Sequence, residues 1–256
     1  MLKDSKKEST VRVLSVDWDY FVDASEEERV YLFPDGGNEG ISGSISDIVW
    51  SSRYADSKRC IDRGGTKFRY LADIPLKSDY LKMRAKLRKL SPSIPVLVAD
   101  SHAHAYNFIL DMESPVDVVN IDFHHDLYSQ GIERDELNCG NWLKLLFDMG
   151  HVNSITWVKH EVSCQAELKD AINITTDLSD VLGLDYDALF LCRSRVWSPP
   201  HLDKNFISVF KFIQSHFTSV GVIDKGLLVD RQRQIKDYMQ NLLLAEMQLF
   251  SELNKK

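Results

Sequence analysis

The sequence has 256 residues, 44% of them hydrophobic, and a formal net charge of −7. This composition is typical of a globular protein with a sizeable core, which argues against a disordered chain, and the length fits one large α/β domain or two smaller ones. The acidic balance provides no basic surface for nucleic acid or an anionic membrane, so a cationic partner suits the chain better.

The first residues of the chain and its cysteines predict a cellular compartment. The first ten residues, MLKDSKKEST, are polar and lack the apolar segment of a secretory signal, and no run is long enough for a membrane span. The cysteines are scattered, without a CxxC pair or a disulfide-framework spacing: Cys60, Cys139, Cys164 and Cys192. We therefore expect reduced thiols and a cytoplasmic protein.

Apolar runs rich in β-branched residues predict five buried strands, at 11–16, 95–99, 116–121, 154–158 and 188–192. Helical periodicity predicts helices at 78–90, 103–112, 140–149 and 202–216. Ser78 is the expected N-cap of the first of them. Because strands alternate with helices, we predict a three-layer α/β fold, with a mainly parallel sheet and helices on both faces. No linker or repeat divides the sequence, so residues 1–256 are predicted to form a single domain.

The stretch from about 227 to 253 predicts a long amphipathic helix. Its apolar stripe consists of Ile235, Met239, Leu242, Leu243, Met247 and Phe250. We expect this stripe to pack on the core, and a dimerisation helix is the alternative.

Polar clusters follow directly on three of the predicted strands. VRVLSV is followed by the DWD segment, PVLVA by DSHAH, and VDVVNI by DFHHD. Ligands of parallel sheets bind outside the carboxyl ends of the strands. If the three strands are parallel neighbours, all three clusters therefore emerge at the same edge.

The spacing of these side chains favours a metal site. Residues i and i+2 of an extended segment point to the same side, so Asp17 pairs with Asp19 and Asp122 with His124, while Asp126 follows where the chain can fold back. Carboxylates at about 4 Å repel one another by several kcal/mol, and two divalent cations remove that repulsion. Carboxylates with imidazoles and no thiolate suit Mn²⁺, Mg²⁺ or Fe²⁺ better than a structural zinc, and the imidazoles favour a transition metal over Mg²⁺ or Ca²⁺. Mn²⁺ is the expected metal, and other divalent transition metals are the alternative.

We therefore predict two Mn²⁺ ions bridged by a water or hydroxide. Their predicted ligands are Asp17, Asp19, His102, Asp122, His124 and Asp126. The segments differ in specificity. A DxD segment alone is common, and a single strand-end histidine is explained equally well by a hydrogen-bonded loop, whereas DFHHD has no evident packing role.

These motifs resemble those of the ureohydrolase superfamily, the arginases and agmatinases, in which one histidine, a DxHxD segment and a DxD segment bind two metals. By this resemblance, 122–126 matches DxHxD, 17–19 matches DxD, and His102 matches the isolated histidine. The resemblance implies an arginase-like fold.

More closely, SVDWDYF, ADSHAHAY, NIDFHHD, CGNW and LCRSRVWSPP resemble a family with rearranged motif order that includes the peptide arginases of ribosomal natural-product pathways. This likeness extends to about residue 200. It implies conversion of arginine side chains in a precursor peptide to ornithine, with release of urea. Two departures from arginases stand out: the DxD segment precedes DxHxD, and the strand before His102 lacks the usual glycines.

Attack on a guanidinium carbon requires acceptors that bind the substrate cation. Glu39, in the glycine-flanked GGNEG stretch, is the expected carboxylate, and an exposed loop acid is the alternative. Asn138 and Asn141 are further candidates for substrate binding, although Asn141 would equally cap the following helix. Arg193, at the end of a predicted strand, either grips the substrate peptide or a ligand carboxylate, or forms a structural ion pair.

The proton donor to the departing amine is the least defined part of the predicted site. Arginases carry a histidine in the loop after DxHxD, and the NCGNW loop of this chain has none. His104 and His160 are the candidates that replace it, with hydrogen-bonded structural roles as the alternative. His125 is expected to point away from the metals, and Trp197 to shape a rigid loop.

Two other functions fit the same motifs. A deacetylase or phosphoesterase would use the same pair of metals on another substrate. A non-catalytic module would bind a basic peptide and gain stability from the metals without turnover. Activity on an arginine peptide separates these readings.

Overall fold

The computed structural model describes residues 10–32, 43–62, 68–113, 115–128, 136–164, 172–233, 235–237, 240 and 244. The strands are β1 (Val11–Asp17), β2 (Val96–Ala99), β3 (Val116–Asp122), β4 (Val152–Lys159), β5 (Ile172–Thr175), β6 (Ala188–Cys192) and β7 (Val220–Val222). The helices are α1 (Glu26–Leu32), α2 (Gly43–Asp62), α3 (Asp79–Leu87), α4 (Ala105–Leu110), α5 (Trp142–Asp148), α6 (Ser179–Leu182) and α7 (Asp203–His216). The described strands form one parallel sheet in the order β5-β4-β3-β1-β6-β2-β7.

Both faces of the sheet are covered by helices. In the central strand β6, Leu189 and Leu191 enter one core cluster together with side chains of α3 and α7. Phe190 enters the opposite cluster, together with side chains of α4 and α5. Because successive side chains of a strand point to opposite faces, one apolar strand supplies both clusters. The predicted three-layer α/β fold is confirmed.

The five predicted strands are present, with bounds within two residues of the prediction. Strands β5 and β7, which lie at the two edges of the sheet, were not predicted. Their side chains are half-buried or exposed, so they lack the continuous apolar run that marks a central strand of a parallel sheet.

The four internal predicted helices are also present, although three are shorter than predicted by more than one residue. The predicted helix 78–90 ends as α3 at Leu87, and Ser78 precedes it without a side-chain cap hydrogen bond. The segment 103–112 begins as a 3-10 turn over His102–His104 and continues as α4. Helices α1, α2 and α6 were not predicted, and the polar and apolar side chains of α2 are intermixed rather than arranged in a stripe.

The prediction of a helix from 227 needs a correction at its start. Lys225–Leu228 form a 3-10 turn, and the described residues are helical at 231–233, 235–237, 240 and 244. Ile235 is buried in a third cluster with Trp50 and Leu202, as expected for a stripe that packs on the core. The rest of the predicted helix lies outside the described residues. None of the described helices has both the length and the apolar character needed to cross a membrane.

Candidate metal centre

Strand register brings the predicted ligand segments to one edge of the sheet. Val16 of β1 is paired with Ile121 of β3, so Asp17 and Asp122 follow at the same level. Strand β6 lies between β1 and β2, and Cys192 of β6 is paired with both Asp17 and Ala99. The three motif strands are therefore parallel, but they are not all direct neighbours. The side chain of His102 reaches the carboxylates across the end of β6.

His102 is surrounded by carboxylate oxygens. Its Nδ1 lies 3.3 Å from Oδ2 of Asp17, 3.0 Å from Oδ2 of Asp122 and 3.0 Å from Oδ2 of Asp126. This nitrogen is buried and makes no hydrogen bond of regular geometry with the described residues. Adjacent ligands of an octahedral ion with bonds of about 2.1 Å are about 3 Å apart. The spacing is therefore that of donor atoms around a shared cation.

A second group of ligand atoms lies next to the first. Nδ1 of His124 is 3.4 Å from Oδ2 of Asp19 and 4.0 Å from Oδ1 of Asp122. Asp19 is fully buried, and neither of its carboxylate oxygens accepts a hydrogen bond of regular geometry from the described residues. Asp17, His102 and Asp122 form one set of atoms compact enough to hold a metal ion, and Asp19, Asp122 and His124 form another. Asp122 is common to both.

The electrostatics of this cluster fit a cation. Burial and neighbouring carboxylates raise the pKa of Asp17 and of Asp122 to about 7. Burial opposes the charged form of the imidazoles, but the carboxylates outweigh it, so the pKa of His102 is raised well above its usual value and that of His124 to about 9. Without a cation, the cluster therefore retains protons. A divalent ion would displace them, because metal ligands must be deprotonated.

Polar neighbours orient the ligand side chains. Ser194 Oγ donates a hydrogen bond to Asp17 Oδ2 at 2.5 Å, and the backbone N–H of Ser194 donates to Cys192 Sγ at 3.2 Å. Ser194 has a φ of 50°, in the left-handed region that non-glycine residues rarely adopt. The contact with the carboxylate therefore accompanies a strained backbone, which is typical of functional sites.

Hydrogen bonds also fix His102 and Asp126. Ser15 Oγ lies 2.7 Å from His102 Nε2, so a protonated Nε2 can donate to it and leave Nδ1 as the metal ligand. Trp142 Nε1 donates to Asp126 Oδ2 at 2.5 Å. Asp126 has a φ of 57°, and this turn folds its carboxylate back towards the cluster, as the sequence analysis expected.

The two predicted proton donors lie apart from these contacts. His160 is buried between Tyr20 and Phe123, and its Nδ1 accepts from Val162 N at 3.3 Å. Burial, together with nearby cations, lowers its pKa to about 3, so His160 is neutral at neutral pH. His104 is half-buried at the end of the 3-10 turn that begins with His102.

The two predicted asparagines have local structural roles. Asn141 Oδ1 accepts from Asn138 N at 2.8 Å, and Asn141 Nδ2 donates to Glu136 O at 2.8 Å. Asn138 Oδ1 accepts from Gly140 N at 2.9 Å. Asn141 occupies the N-cap position of α5, but its side chain makes no cap hydrogen bond. Both side chains thus stabilise the loop before α5, and the prediction that they bind substrate is not supported by these contacts.

Arg193 forms the structural ion pair, the alternative to the predicted substrate contact. Its Nε and Nη2 donate to the two carboxylate oxygens of Asp100 at 2.5 and 2.6 Å. Its guanidinium also donates to the carbonyls of Gly226, Leu227 and Val229, and its side chain is fully buried. These bonds use its donors inside the protein, so Arg193 holds the segment that leads to the C-terminal helix. Glu39, the predicted guanidinium-binding carboxylate, lies outside the described residues.

His125 points away from the cluster, as expected. Its Nδ1 accepts from Leu127 N at 3.0 Å, and its ring packs on Tyr128 at 4.1 Å. Burial lowers its pKa to about 4. His125 is therefore a neutral packing residue on the opposite side of the DFHHD segment.

The sequence analysis missed Ser15, Asn120 and Arg29. Ser15 and Asn120 stand two residues before Asp17 and Asp122 in otherwise apolar strands, and this alternation would have identified them; Asn120 Nδ2 donates to Asp122 Oδ2 at 3.3 Å. The guanidinium of Arg29 lies 3.8 Å from the ring centroid of Phe123. It also donates to the carbonyls of Asp19 at 3.0 Å and Val22 at 2.7 Å. No motif marks Arg29.

Comparison of the chain with family models, with curated proteins and with solved structures gave no match. The assignment of this edge of the sheet as a candidate metal centre therefore rests on the residues themselves. Two compact and overlapping groups of buried Asp and His side chains can hold metal, and they lie where parallel sheets bind their ligands.

Proposed function

We propose that this protein is a metal-dependent hydrolase with two Mn²⁺ ions that converts arginine side chains of a peptide to ornithine and releases urea. The observation that carries the proposal is the position of Asp122 in both groups of ligand atoms. A carboxylate shared by two sets of ligands is what a binuclear site requires. The substrate class follows from the resemblance to the peptide arginases and from the acidic character of the site.

His102 would hold one ion through Nδ1, together with the carboxylates of Asp17, Asp122 and Asp126, whose Oδ2 atoms surround this nitrogen. Asp19 and His124 would hold the second, together with Asp122. Bound divalent cations lower the pKa of water and so supply a nucleophile at neutral pH.

Other side chains of this protein would position the ligands, exclude water and supply the proton to the departing amine. Ser194 and Trp142 fix the ligand carboxylates by their hydrogen bonds, and burial of the cluster excludes bulk water. Of the two histidines predicted to donate a proton to the departing amine, His104 is the better candidate. Burial lowers the pKa of His160 to about 3, so its protonated form, which would donate the proton, is not present at neutral pH.

The test is turnover by the purified protein after its metals have been removed and replaced by Mn²⁺. Incubation with an arginine-containing peptide is expected to release urea and to lower the peptide mass by CH₂N₂ for each converted residue. The metal-free protein is the control and should release none. Binding of the peptide to the Mn²⁺-loaded protein without any urea would replace this proposal by the non-catalytic reading.

Arg29 favours a second candidate, the hydrolysis of phosphoesters. Its guanidinium is buried beside Asp19, and although burial lowers its pKa to about 10, it is still charged at neutral pH. A fixed cation beside two metals stabilises the oxygens of a transferred phosphoryl group. Release of phosphate from aryl phosphate mono- or diesters, lost in Arg29→Met, together with no urea from arginine peptides, would make this candidate the correct one.

A further inference from the structure

The metal centre is closed on most sides and opens at one ligand. The side chains of Asp17, Asp19, His102, Asp122 and Asp126 are between 0 and 4% exposed, whereas that of His124 is 22% exposed. A reacting group that enters from solvent must therefore pass His124. The side chains around this imidazole decide which group is admitted.

Trp197 lies beside this opening. Its ring centroid is 5.2 Å from that of His124, with an interplanar angle of 58°. The indole is half-buried: part of it packs against the cluster that includes Trp50 and Tyr54, and part remains accessible. Trp197 belongs to none of the predicted metal-binding segments, so metal binding does not explain a large aromatic side chain at this position.

The loop that carries Trp197 is held in place by its backbone carbonyls. The Arg195 carbonyl accepts hydrogen bonds from Trp50 Nε1 at 2.9 Å and Arg231 Nη1 at 2.6 Å. The Val196 carbonyl accepts from Arg53 Nη1 at 2.9 Å. Trp197 N itself donates to Ser194 O at 2.9 Å. An aromatic ring on such a fixed loop is preorganised for binding and loses little entropy when it contacts a substrate.

We infer that the indole of Trp197 forms a wall of the substrate entrance and stacks against the planar cationic end of the arginine side chain. This inference rests on the proposed function and names the residue that selects the substrate. A guanidinium is planar and weakly hydrated, and it stacks on aromatic faces. The chain uses the same contact elsewhere, since Arg29 lies 3.8 Å from the ring centroid of Phe123 and Arg53 lies 4.6 Å from that of Trp50.

The experiment measures peptide binding separately from turnover. Dissociation constants of the Mn²⁺-loaded protein are determined for an arginine peptide and for the same peptide with citrulline, the neutral ureido analogue of similar shape. Trp197→Leu is expected to weaken binding of the arginine peptide by roughly 5- to 30-fold, the size of a partly desolvated cation–π contact. Binding of the citrulline peptide should change less than about threefold, because it lacks the charge. Trp197→Phe, which retains an aromatic face, should lie between Trp197→Leu and the wild type.

A matched control and a shape-preserving variant complete the design. Phe212→Leu removes another half-buried aromatic ring, on α7, where it stacks on His216, and should leave both dissociation constants unchanged. If Trp197→Leu fails to fold, fluorinated tryptophan at position 197 keeps the shape but weakens the ring quadrupole. Affinity for the arginine peptide should then fall with each added fluorine.

The inference is wrong if Trp197→Leu or the fluorinated indole leaves arginine binding unchanged, or if both peptides lose affinity equally. It is also wrong if the wild-type protein binds no arginine peptide. These results are distinct from failure of the proposed function. Selective loss of arginine binding with no urea from the wild type would retain Trp197 as a binding residue and reject the hydrolase. Urea release by the wild type, together with unchanged binding of the arginine peptide by Trp197→Leu, would retain the hydrolase and reject Trp197 as a binding residue.

Discussion

The loop from Ser194 to Ser198 contacts two groups of buried charged side chains. On one side, Arg231 donates to both carboxylate oxygens of Asp203 at 2.6 to 3.0 Å. Its other donors bind the carbonyls of Arg195 and Ser198. Arg231 is fully buried and Asp203 is 2% exposed, so this group is buried, paired and electrically balanced.

On the other side, Ser194 donates to Asp17, a member of the candidate metal centre. Asp17, Asp19 and Asp122 lie within 4 Å of the imidazoles of His102 and His124, which are charged only when protonated. The guanidinium of Arg29, which donates to the carbonyl of Asp19, is a further nearby cation, and it is too little charge to balance the carboxylates of the cluster when the imidazoles are neutral. Buried charge alone therefore does not distinguish a functional site, because Arg231 and Asp203 are buried equally well. The distinguishing property is charge that the protein leaves unbalanced, which a bound cation can neutralise.

Removal of the carboxylate of Asp122, which is common to both groups of ligand atoms, tests the difference between the two buried groups most strongly. Asp122→Asn should reduce urea formation at least about a thousandfold, since a metal centre contributes several kcal/mol to the barrier, and metal content should fall. The metal-free variant should be as stable as the metal-free wild type or more so, because one repelling carboxylate is gone. Metal analysis, urea assay and denaturant unfolding measure these effects.

Asp117→Asn is the matched control, at the opposite end of the same strand, where Asp117 accepts hydrogen bonds from Ser154 and Asn153. It should retain both metal and activity. Full activity in Asp122→Asn would remove the binuclear site from the proposal.

Disruption of the ion pair between Arg231 and Asp203 should change the free energy of unfolding rather than the metal content. Arg231→Met leaves the carboxylate of Asp203 buried and unpaired, and it should lower the free energy of unfolding by about 3–5 kcal/mol. Adding Asp203→Leu should recover most of that loss, because no lone charge remains. Denaturant unfolding with metal analysis checks this. Loss of metal from Arg231→Met at an unchanged free energy of unfolding would contradict the distinction between this ion pair and the candidate metal centre.

Ser194 and Ser198 allow a comparison within the loop. Ser194→Ala removes the hydrogen bond to Asp17 and should weaken metal binding by about 10–100-fold, as is typical of groups that orient ligands. The hydroxyl of Ser198 is buried and makes no hydrogen bond with the described residues, so Ser198→Ala should have no effect. Competition with a fluorescent chelator measures both affinities. Equal affinities in the two variants would show that Ser194 does not position Asp17.

The smallest expected effect is the pH dependence of the metal-free protein. Asp17 and Asp122 have a pKa raised to about 7, because of burial first and neighbouring carboxylates second. A raised pKa contributes stability below the unfolded-state pKa, near 4, that is lost as the pH rises through the folded-state value. Stability should therefore fall between about pH 4 and 7, by at least about 1.4 kcal/mol.

The pKa of His124 is also raised, to about 9. Stability therefore continues to fall as the pH rises towards that value. The charge balance of Arg231 is unchanged in this range, because its pKa is raised from an already high value. Thermal unfolding in chelator at several pH values tests the prediction. Stability that rises from pH 5 to 8 without metal would contradict it. Added Mn²⁺ should remove this fall and make stability rise with pH, because the metal-bound ligands are deprotonated in the folded protein whereas the unfolded chain still binds protons at low pH.

The sequence predicted the central part of the fold and the Asp and His side chains that meet at the carboxyl edge of the sheet, because both depend on local patterns. Apolar runs such as 188–192 predict buried strands, and polar residues directly after them predict the carboxyl edge. The i and i+2 spacing of Asp122 and His124 needs no knowledge of distant contacts.

The roles that depend on distant contacts were not predictable. Arg193 binds Asp100 and Ser194 binds Asp17, and both partners are more than 90 positions away in sequence. Periodicity is equally uninformative for Asn141, whose side chain bonds backwards within its loop. Trp197 was predicted to shape a loop, and its distance from His124, on which the inferred substrate contact rests, is known only from the folded chain.

The position of β1 in the centre of the sheet has a consequence for biosynthesis. This strand precedes the other described strands of the sheet in sequence, but Asp17 accepts a side-chain hydrogen bond from a residue 177 positions later. At about 5–20 residues per second, a ribosome needs roughly 9–35 s to make that stretch. During this time β1 lacks at least one of its two neighbouring strands, β3 and β6. The hydrogen-bonded arrangement of the candidate metal centre is therefore complete only after Ser194 has been made, well after Asp126, the last of the predicted ligands.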